Sequence, residues 1–278
     1  MSRLAVAALA MLGAAFSAHA TAAGPPRIAS MNVCTDQLLI SLADPRQIVG
    51  LSRYARERFE SFSADDTGRF RLLSGGAEDI LELKPDIVVA SLFDKRSTRE
   101  LLKVKGIHLA EFAVPRNLDE VKAQIREIGD LVGHQDRASA QIARLDEAIA
   151  RARQAAASRH FRVLPLSRRG WVSGSDSLLS SLLAETGLFN AARELGINSG
   201  GFASLEAIVN LRPDLIVVSE AGDRAEDDGS AFLVHPALER FYPRSRRIVI
   251  PDRLTVCGGA MLADALDQLV KELKRVER

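Results

Sequence analysis

Cysteine is nearly absent: the 278-residue chain holds two, Cys34 and Cys257. That excludes a disulfide framework of the kind that holds small secreted domains together. The two sulfurs could form one bridge or stay as thiols. Histidine is also scarce. Beyond the first 20 residues only His108, His134, His160 and His235 remain, widely spaced. No cluster offers the three or four ligands a bare zinc or manganese ion requires, so neither a metal site nor a cofactor is expected. Aromatic residues make up 5 % of the chain, which disfavours a heavily stacked site. Excess charge is missing too. The 37 basic residues face 36 acidic ones, which argues against a globally basic nucleic-acid binder.

Nucleotide-binding loops are lacking as well. The glycine-rich stretches "LSGGAED" (73–79) and "VCGGAML" (256–262) fit neither GxGxxG nor GxxxxGK[ST]. No GxSxG elbow occurs, and the acidic pairs Asp65-Asp66 and Asp227-Asp228 sit in polar stretches that read as solvated turns. A two-lobed transferase-type enzyme therefore loses its main requirement. An enzyme is not expected.

Long apolar runs are missing except at the start. Leu4 to Phe16 is apolar, follows the lone charge Arg3, and ends near Ala18-His19-Ala20, a small-x-small cleavage pattern. This predicts a signal peptide over residues 1–20. The run is shorter than the roughly 20 apolar residues of a membrane span. No cysteine stands at the cleavage site, so a lipoprotein anchor is not indicated. The expected destination is an oxidising extracytoplasmic space, the periplasm in a bacterium.

What is present is a repeated unit. "EDILELKPDIVVAS" (78–91) returns as "EAIVNLRPDLIVVS" (206–219), 128 residues later. Each copy reads as a short helix stopped by proline, then a β-branched run suited to a strand buried on both faces. Around the first copy, "RIASMN", "QIVGLS" and "HLAEFA" read as strands, and "CTDQLLISLAD" and "TRELLKVKG" as helices. Residues 53–72 read as a loop with one helical turn. From Leu118 the period changes: Leu118, Val121, Ile125, Ile128 and Leu131 mark one helix, and Ala138, Ile142, Leu145, Ile149 and Ala152 a second beyond Gly133. The second, over 137–158, would span about 33 Å. Strands and helices then resume with "FRVLPLS", "GWVSG", "SLLSSLLAETG", the second repeat, "SRRIVIP" and a final helix.

Alternating strands and helices predict an α/β fold with mainly parallel sheets. The repeat predicts two Rossmann-like lobes: residues 24–116, a helical linker over 117–158, and residues 159–278. Two lobes imply a cleft, a favoured place for a ligand.

The chain resembles the periplasmic substrate-binding proteins of ABC importers for ferric siderophores, haem and cobalamin. Four stretches carry the resemblance: "RIASMNVCTDQLLISLADPRQIVGLS", "EDILELKPDIVVAS", "GWVSGSDSLLSSLLAETGLFNAA" and "EAIVNLRPDLIVVS". Their order and the helical linker match across essentially the whole mature chain. The resemblance implies two lobes on a rigid helical backbone, little lobe closure, and docking of one lobe on each half of a membrane permease dimer. It implies that Glu78 and Glu206, each seven positions before its proline, pair with permease arginines. The plain alternative is two acids in the first turn of a helix.

The loops after strand ends face the ligand in such lobes. With the family layout, that rule selects Asn32, Cys34 and Thr35, then Arg53 and Tyr54, then Phe93. In the second lobe it selects Arg168, Arg169 and Trp171, then Arg253 with its neighbour Leu254, and Cys257. Tyr54, Phe93 and Trp171 would stack on a flat or aromatic chelate, and the arginines would pair with its anionic groups. Trp171 as a core residue and the arginines as solvated charges are the alternatives. The family layout puts both cysteines at helix N-termini facing the cleft. Acidified thiols touching ligand, an interlobe disulfide and plain buried thiols all remain open.

The function expected is a soluble, monomeric periplasmic protein. It would capture a ferric siderophore, corrinoid or haem and deliver it to an ABC permease. Which chelate is not specified, though the arginines favour an anionic one. A non-transport sensor or scaffold with the same fold is the rival reading.

Overall fold

The run Ile87–Ser91 is β-branched and apolar, and burial on both faces is what such a strand needs. The computed structural model describes residues 24–156, 160–219 and 230–276 and gives that strand those neighbours. The expected signal peptide and the Asp227-Asp228 pair lie outside the described residues. The first lobe runs β1 (Ile28–Ser30), α1 (Val33–Leu42), β2 (Ile48–Ser52), β3 (Leu72–Leu73), α2 (Ala77–Glu82), β4 (Ile87–Ser91), α3 (Arg96–Val104) and β5 (His108–Phe112). Its strands form one parallel sheet in the order β3-β2-β1-β4-β5.

Two helices follow, α4 (Leu118–Val132) and α5 (Gln135–Ala156). Gly133 ends α4 with φ of 76°, the left-handed cap that glycine adopts without penalty. The second lobe runs β6 (Arg162–Pro165), β7 (Trp171–Ser173), α6 (Leu178–Glu185), β8 (Phe189–Asn190), β9 (Gly200–Phe202), α7 (Leu205–Leu211), β10 (Leu215–Val218), α8 (Pro236–Phe241), β11 (Arg247–Val249) and α9 (Met261–Val276). Four of its strands make a parallel sheet in the order β11-β10-β6-β8, and β7 pairs antiparallel with β9.

The sequence repeat is a repeated construction. β4 lies beside β1, and β10 beside β6. Lys84 and Arg212, the residues before the two prolines, both take a left-handed turn at φ of 48°. The next aspartates accept the backbone N–H that opens the neighbouring strand: Arg27 to Asp86 at 2.7 Å and Arg162 to Asp214 at 2.8 Å. The guanidinium groups of Arg27 and Arg162 donate back to carbonyls at the ends of α2 and α7. The motif thus satisfies the orphaned carbonyls of each short helix while fixing strand order.

The lobes share one core. A continuous buried cluster joins the inner faces of both sheets to α1, α4, α5, α6 and α9, with Leu39, Ile125, Leu145, Leu182 and Leu266 among its members. Separate clusters fill the outer faces of each lobe. α9 packs along α5, flanked by ion pairs Arg144–Asp264 and Arg151–Asp267. Hinge motion would have to break this shared core, so the arrangement resists it.

Segment 53–72 is better ordered than expected. It contains two 3₁₀ turns, Arg53–Arg56 and Ala64–Thr67, and Phe62 N–H donates to the Gln37 side chain of α1 at 3.0 Å.

Candidate functional site

In both sheets the first strand is flanked on one side by the next strand and on the other by the strand of the repeat, so strand order reverses there. Ligands in open parallel sheets sit beyond the carboxyl ends of strands at this switch point. A cavity of about 370 Å³ occupies that place in the first lobe. Its walls come from the ends of β1, β2, β3 and β4: Ser30 and Met31, Ser52 to Tyr54, Leu73 to Gly76, and Phe93 to Lys95, with Ile80 behind.

The floor is a saturated polar network. Ser30 and Thr35 hydroxyls share a hydrogen bond at 2.7 Å, and Thr35 also donates to the Asn32 carbonyl. Asn32 caps α1 by accepting from the Cys34 and Thr35 amides, and its side-chain amide donates to Asp94 at 2.8 Å. Asp36 is fully buried beneath Ser52, accepting from its N–H at 2.9 Å and its hydroxyl at 2.6 Å. Burial pushes the Asp36 carboxyl up to about 7, against the downward pull of hydrogen bonds from Ser30 and Ser52.

The rim is exposed. Arg53 donates to the Tyr54 hydroxyl at 2.6 Å and lies over its ring, with 4.7 Å between the guanidinium carbon and the ring centre. Phe93 is 81 % exposed beside Leu92.

The second lobe presents an aromatic pair. Trp171 and Phe202 stand opposite each other across β7 and β9, with ring centres 5.1 Å apart at 76°. They are 40 % and 68 % exposed. Gly200 makes room for the indole: a Cβ there would lie 2.7 Å from the Trp171 ring. Val256 is exposed after β11, and Val114 after β5. Tyr54, Leu92, Phe93, Val114, Trp171, Phe202 and Val256 thus stand exposed beyond the carboxyl ends of the strands, while Leu101, Val104, Phe189 and Phe241 are exposed elsewhere.

A disulfide draws these edges together. Cys34, at the start of α1, is bonded to Cys257, which precedes α9, with Cα atoms 5.2 Å apart. This decides among the three readings of the cysteines. Neither sulfur is a free thiol, and Cys257 is buried, so the expectation of thiols offered to ligand is corrected. Thr35 is also displaced from the expected set: it is 3 % exposed, with its hydroxyl engaged inside the lobe. Asn32 acts as a helix cap and a tether for Asp94.

The structure brings Arg53, Tyr54 and Phe93 round one cavity. It sets Arg168 and Arg169 on the exposed turn before Trp171. Arg253 sits apart, in a shallow depression of about 420 Å³ with Phe62 and the α9 residues Asp264, Asp267 and Lys271; its neighbour Leu254 is buried. Sequence reasoning missed Phe202, Lys95, Ser74 and the buried Asp36. Among the described residues no group of three or more histidine, cysteine or acidic side chains could hold a metal ion. No helix among them is long and apolar enough to cross a membrane.

Glu78 and Glu206 occupy the first turns of α2 and α7, exposed, at the same carboxyl edges. Its own backbone amide and the Ser204 hydroxyl hold the Glu206 carboxyl below the usual range, so it stays charged at neutral pH.

Known proteins share this plan. A cobalamin-binding protein of Halobacterium salinarum is 25 % identical over 226 residues, covering 78 % of this chain and 60 % of that protein. This chain thus spans about 60 % of the curated relative's length. The apo periplasmic heme-binding protein RhuT of Roseiflexus sp. RS-1 superposes with a TM-score of 0.74 at 25 % identity, covering 92 % of this chain and 100 % of that one. The periplasmic heme-binding protein BhuT, in complex with two hemes, gives 0.75 at 23 % identity, with the same coverage. The sequence profile of periplasmic binding proteins matches residues 28–242, from the first strand of one lobe to α8 of the other, and with that span the chain belongs to the periplasmic binding protein family.

Proposed function

We propose that this protein is the soluble periplasmic component of an ABC importer, which captures a metal chelate between its lobes and hands it to the permease. One observation carries the reading: exposed aromatic side chains stand at the carboxyl edges of both lobes, where Tyr54 and Phe93 of one and Trp171 and Phe202 of the other can enclose a flat, partly apolar cargo. Relatives described as cobalamin-binding and heme-binding support this cargo class, and a ferric siderophore belongs to it chemically. Tyr54, Phe93 and Trp171 contact the chelate face; Arg53, Arg168 and Arg169 contact its charged groups. The protein performs no chemistry, works as a monomer and binds no nucleic acid.

Glu78 and Glu206 dock the lobes onto a permease dimer. Two exposed carboxylates at equivalent places on two similar lobes suit a partner with two equivalent halves, and such charges set docking orientation and rate. The test is uptake of the cargo in cells carrying E78K/E206K. Uptake should collapse while the purified variant binds cargo as the parent does. Undiminished uptake would remove the docking role.

A further inference from the structure

Both halves of the cleft carry aromatic and cationic side chains, and the cavity lies in the first. The second lobe offers the Trp171–Phe202 pair, with Arg168 and Arg169 on the exposed turn before it. The first lobe offers a cavity whose rim carries two cations, Arg53 and Lys95. Neither has a carboxylate within ion-pair distance among the described residues, whereas nearby Arg58, Arg71 and Arg99 each do. The acids beside the cavity are tied down by the lobe itself, each through a backbone amide: Asp94 accepts from Asn32 and from the Ser91 amide through one oxygen and keeps the other, Asp79 accepts from the Ser74 amide, and Asp36 lies under Ser52. The Ser74 hydroxyl accepts from the Gly76 amide and keeps its own proton available at the wall. Gly75, at φ of 91°, has no atom within 4 Å of where a Cβ would stand, so the wall is open there.

The cavity is also small. About 370 Å³ lies near the lower limit of sites for drug-sized ligands, so a whole macrocyclic chelate cannot enter it. A side arm can.

We infer that this cavity is an anion subsite. It takes a carboxylate or phosphate arm of the cargo between Arg53 and Lys95, with Ser74 donating a further hydrogen bond, while Trp171 and Phe202 cover the flat face. The guanidinium of Arg53 is held over the Tyr54 ring and so is partly ordered before the arm arrives, which lowers the entropy lost on binding. A charged hydrogen bond to the arm strengthens binding more than a neutral one would. The inference rests on the chelate-binding reading and narrows it to a flat chelate bearing an anionic arm.

The test uses pairs of which one member lacks the anionic arm, with affinities measured by equilibrium dialysis. Haem is compared with its dimethyl ester, and cyanocobalamin with dicyanocobinamide, which lacks the phosphate together with its ribose and base and carries a second cyanide. The anionic member of one pair should bind about ten- to a hundredfold more tightly, the range of one or two charged hydrogen bonds. In R53Q/K95Q that preference should collapse towards unity, read as the ratio within each pair so that any general loss of affinity from releasing Tyr54 cancels. Both positions are exposed, and thermal melting checks that the variant remains folded. A preference for haem over its ester assigns a carboxylate arm; a preference for cobalamin over cobinamide assigns a phosphate arm. Equal binding within both pairs overturns the subsite but leaves chelate capture standing. So does a preference that survives in R53Q/K95Q. No binding of any macrocycle or siderophore removes the broader reading and the subsite with it.

Discussion

Cys34 and Cys257 are separated by 223 residues and joined by a disulfide, one at the start of the first helix of one lobe and the other just before the last helix of the chain. Gln37 donates to the Cys257 sulfur at 3.3 Å, and its carbonyl holds the Phe62 amide, so the bridge also anchors the loop beyond β2. It ties together the two strand-end regions between which cargo would lie.

Removing the bridge should lower stability by about 2–4 kcal/mol, because the unfolded chain regains the freedom of a very long loop. Urea denaturation of C34S/C257S, and of the parent with and without reductant, checks this. An unchanged midpoint would mean that the shared core alone fixes the lobes.

Asp36 makes stability depend on pH in a stated direction. Its carboxyl is pushed up to about 7 in the folded chain, above the value of an exposed aspartate. Between about pH 4 and 7 the unfolded chain releases this proton while the folded chain keeps it. The folded state therefore loses stability as pH rises through that window, by up to about 1.4 kcal/mol per pH unit, and the loss is complete above the folded value. Asn at this position can still accept from the Ser52 amide and donate to its hydroxyl. D36N should flatten that part of the profile and be relatively more stable at pH 8 than at pH 5. Parallel urea-stability profiles for parent and variant would contradict the assignment.

Gly200 is a space-making residue for the indole. With φ of 149° and a prospective Cβ 2.7 Å from the Trp171 ring, an alanine must strain the backbone or move the ring. G200A should cost about 1–3 kcal/mol, shift the tryptophan emission maximum and weaken chelate binding severalfold. Unchanged emission and affinity would show that Trp171 does not depend on this contact.

Much of this architecture was legible in the sequence. The runs "DIVVAS" and "DLIVVS" are apolar, β-branched and preceded by proline, and strands buried on both faces have few other ways to look. The α4 and α5 periodicities, and the left-handed break at Gly133, follow from helix geometry in the same way. Local pattern was silent where structure depends on distant partners. β8 and β9 are two and three residues long, and "GGF" carries no period, so neither the strand nor a role for Phe202 is legible there. In sequence Asp36 is an ordinary first-turn acid of α1; its burial against Ser52 of β2 depends on a partner 16 residues away. Pairing of Cys34 with Cys257 could not be read because their separation in sequence says nothing about proximity. Lys95, inside "FDKRS", is one charge among several until the ends of four strands enclose it.

The central claim is that the cleft captures a metal chelate against Trp171, the only tryptophan of the chain. The direct measurement is titration of the purified protein with haem, cyanocobalamin and a panel of ferric siderophores, following Trp171 fluorescence corrected for absorption by the ligand. These chelates absorb where tryptophan emits, so one bound nearby quenches it. The account predicts saturable quenching by one chelate class at micromolar or lower concentration. The absence of quenching, together with no thermal shift for any member of the panel, would contradict it.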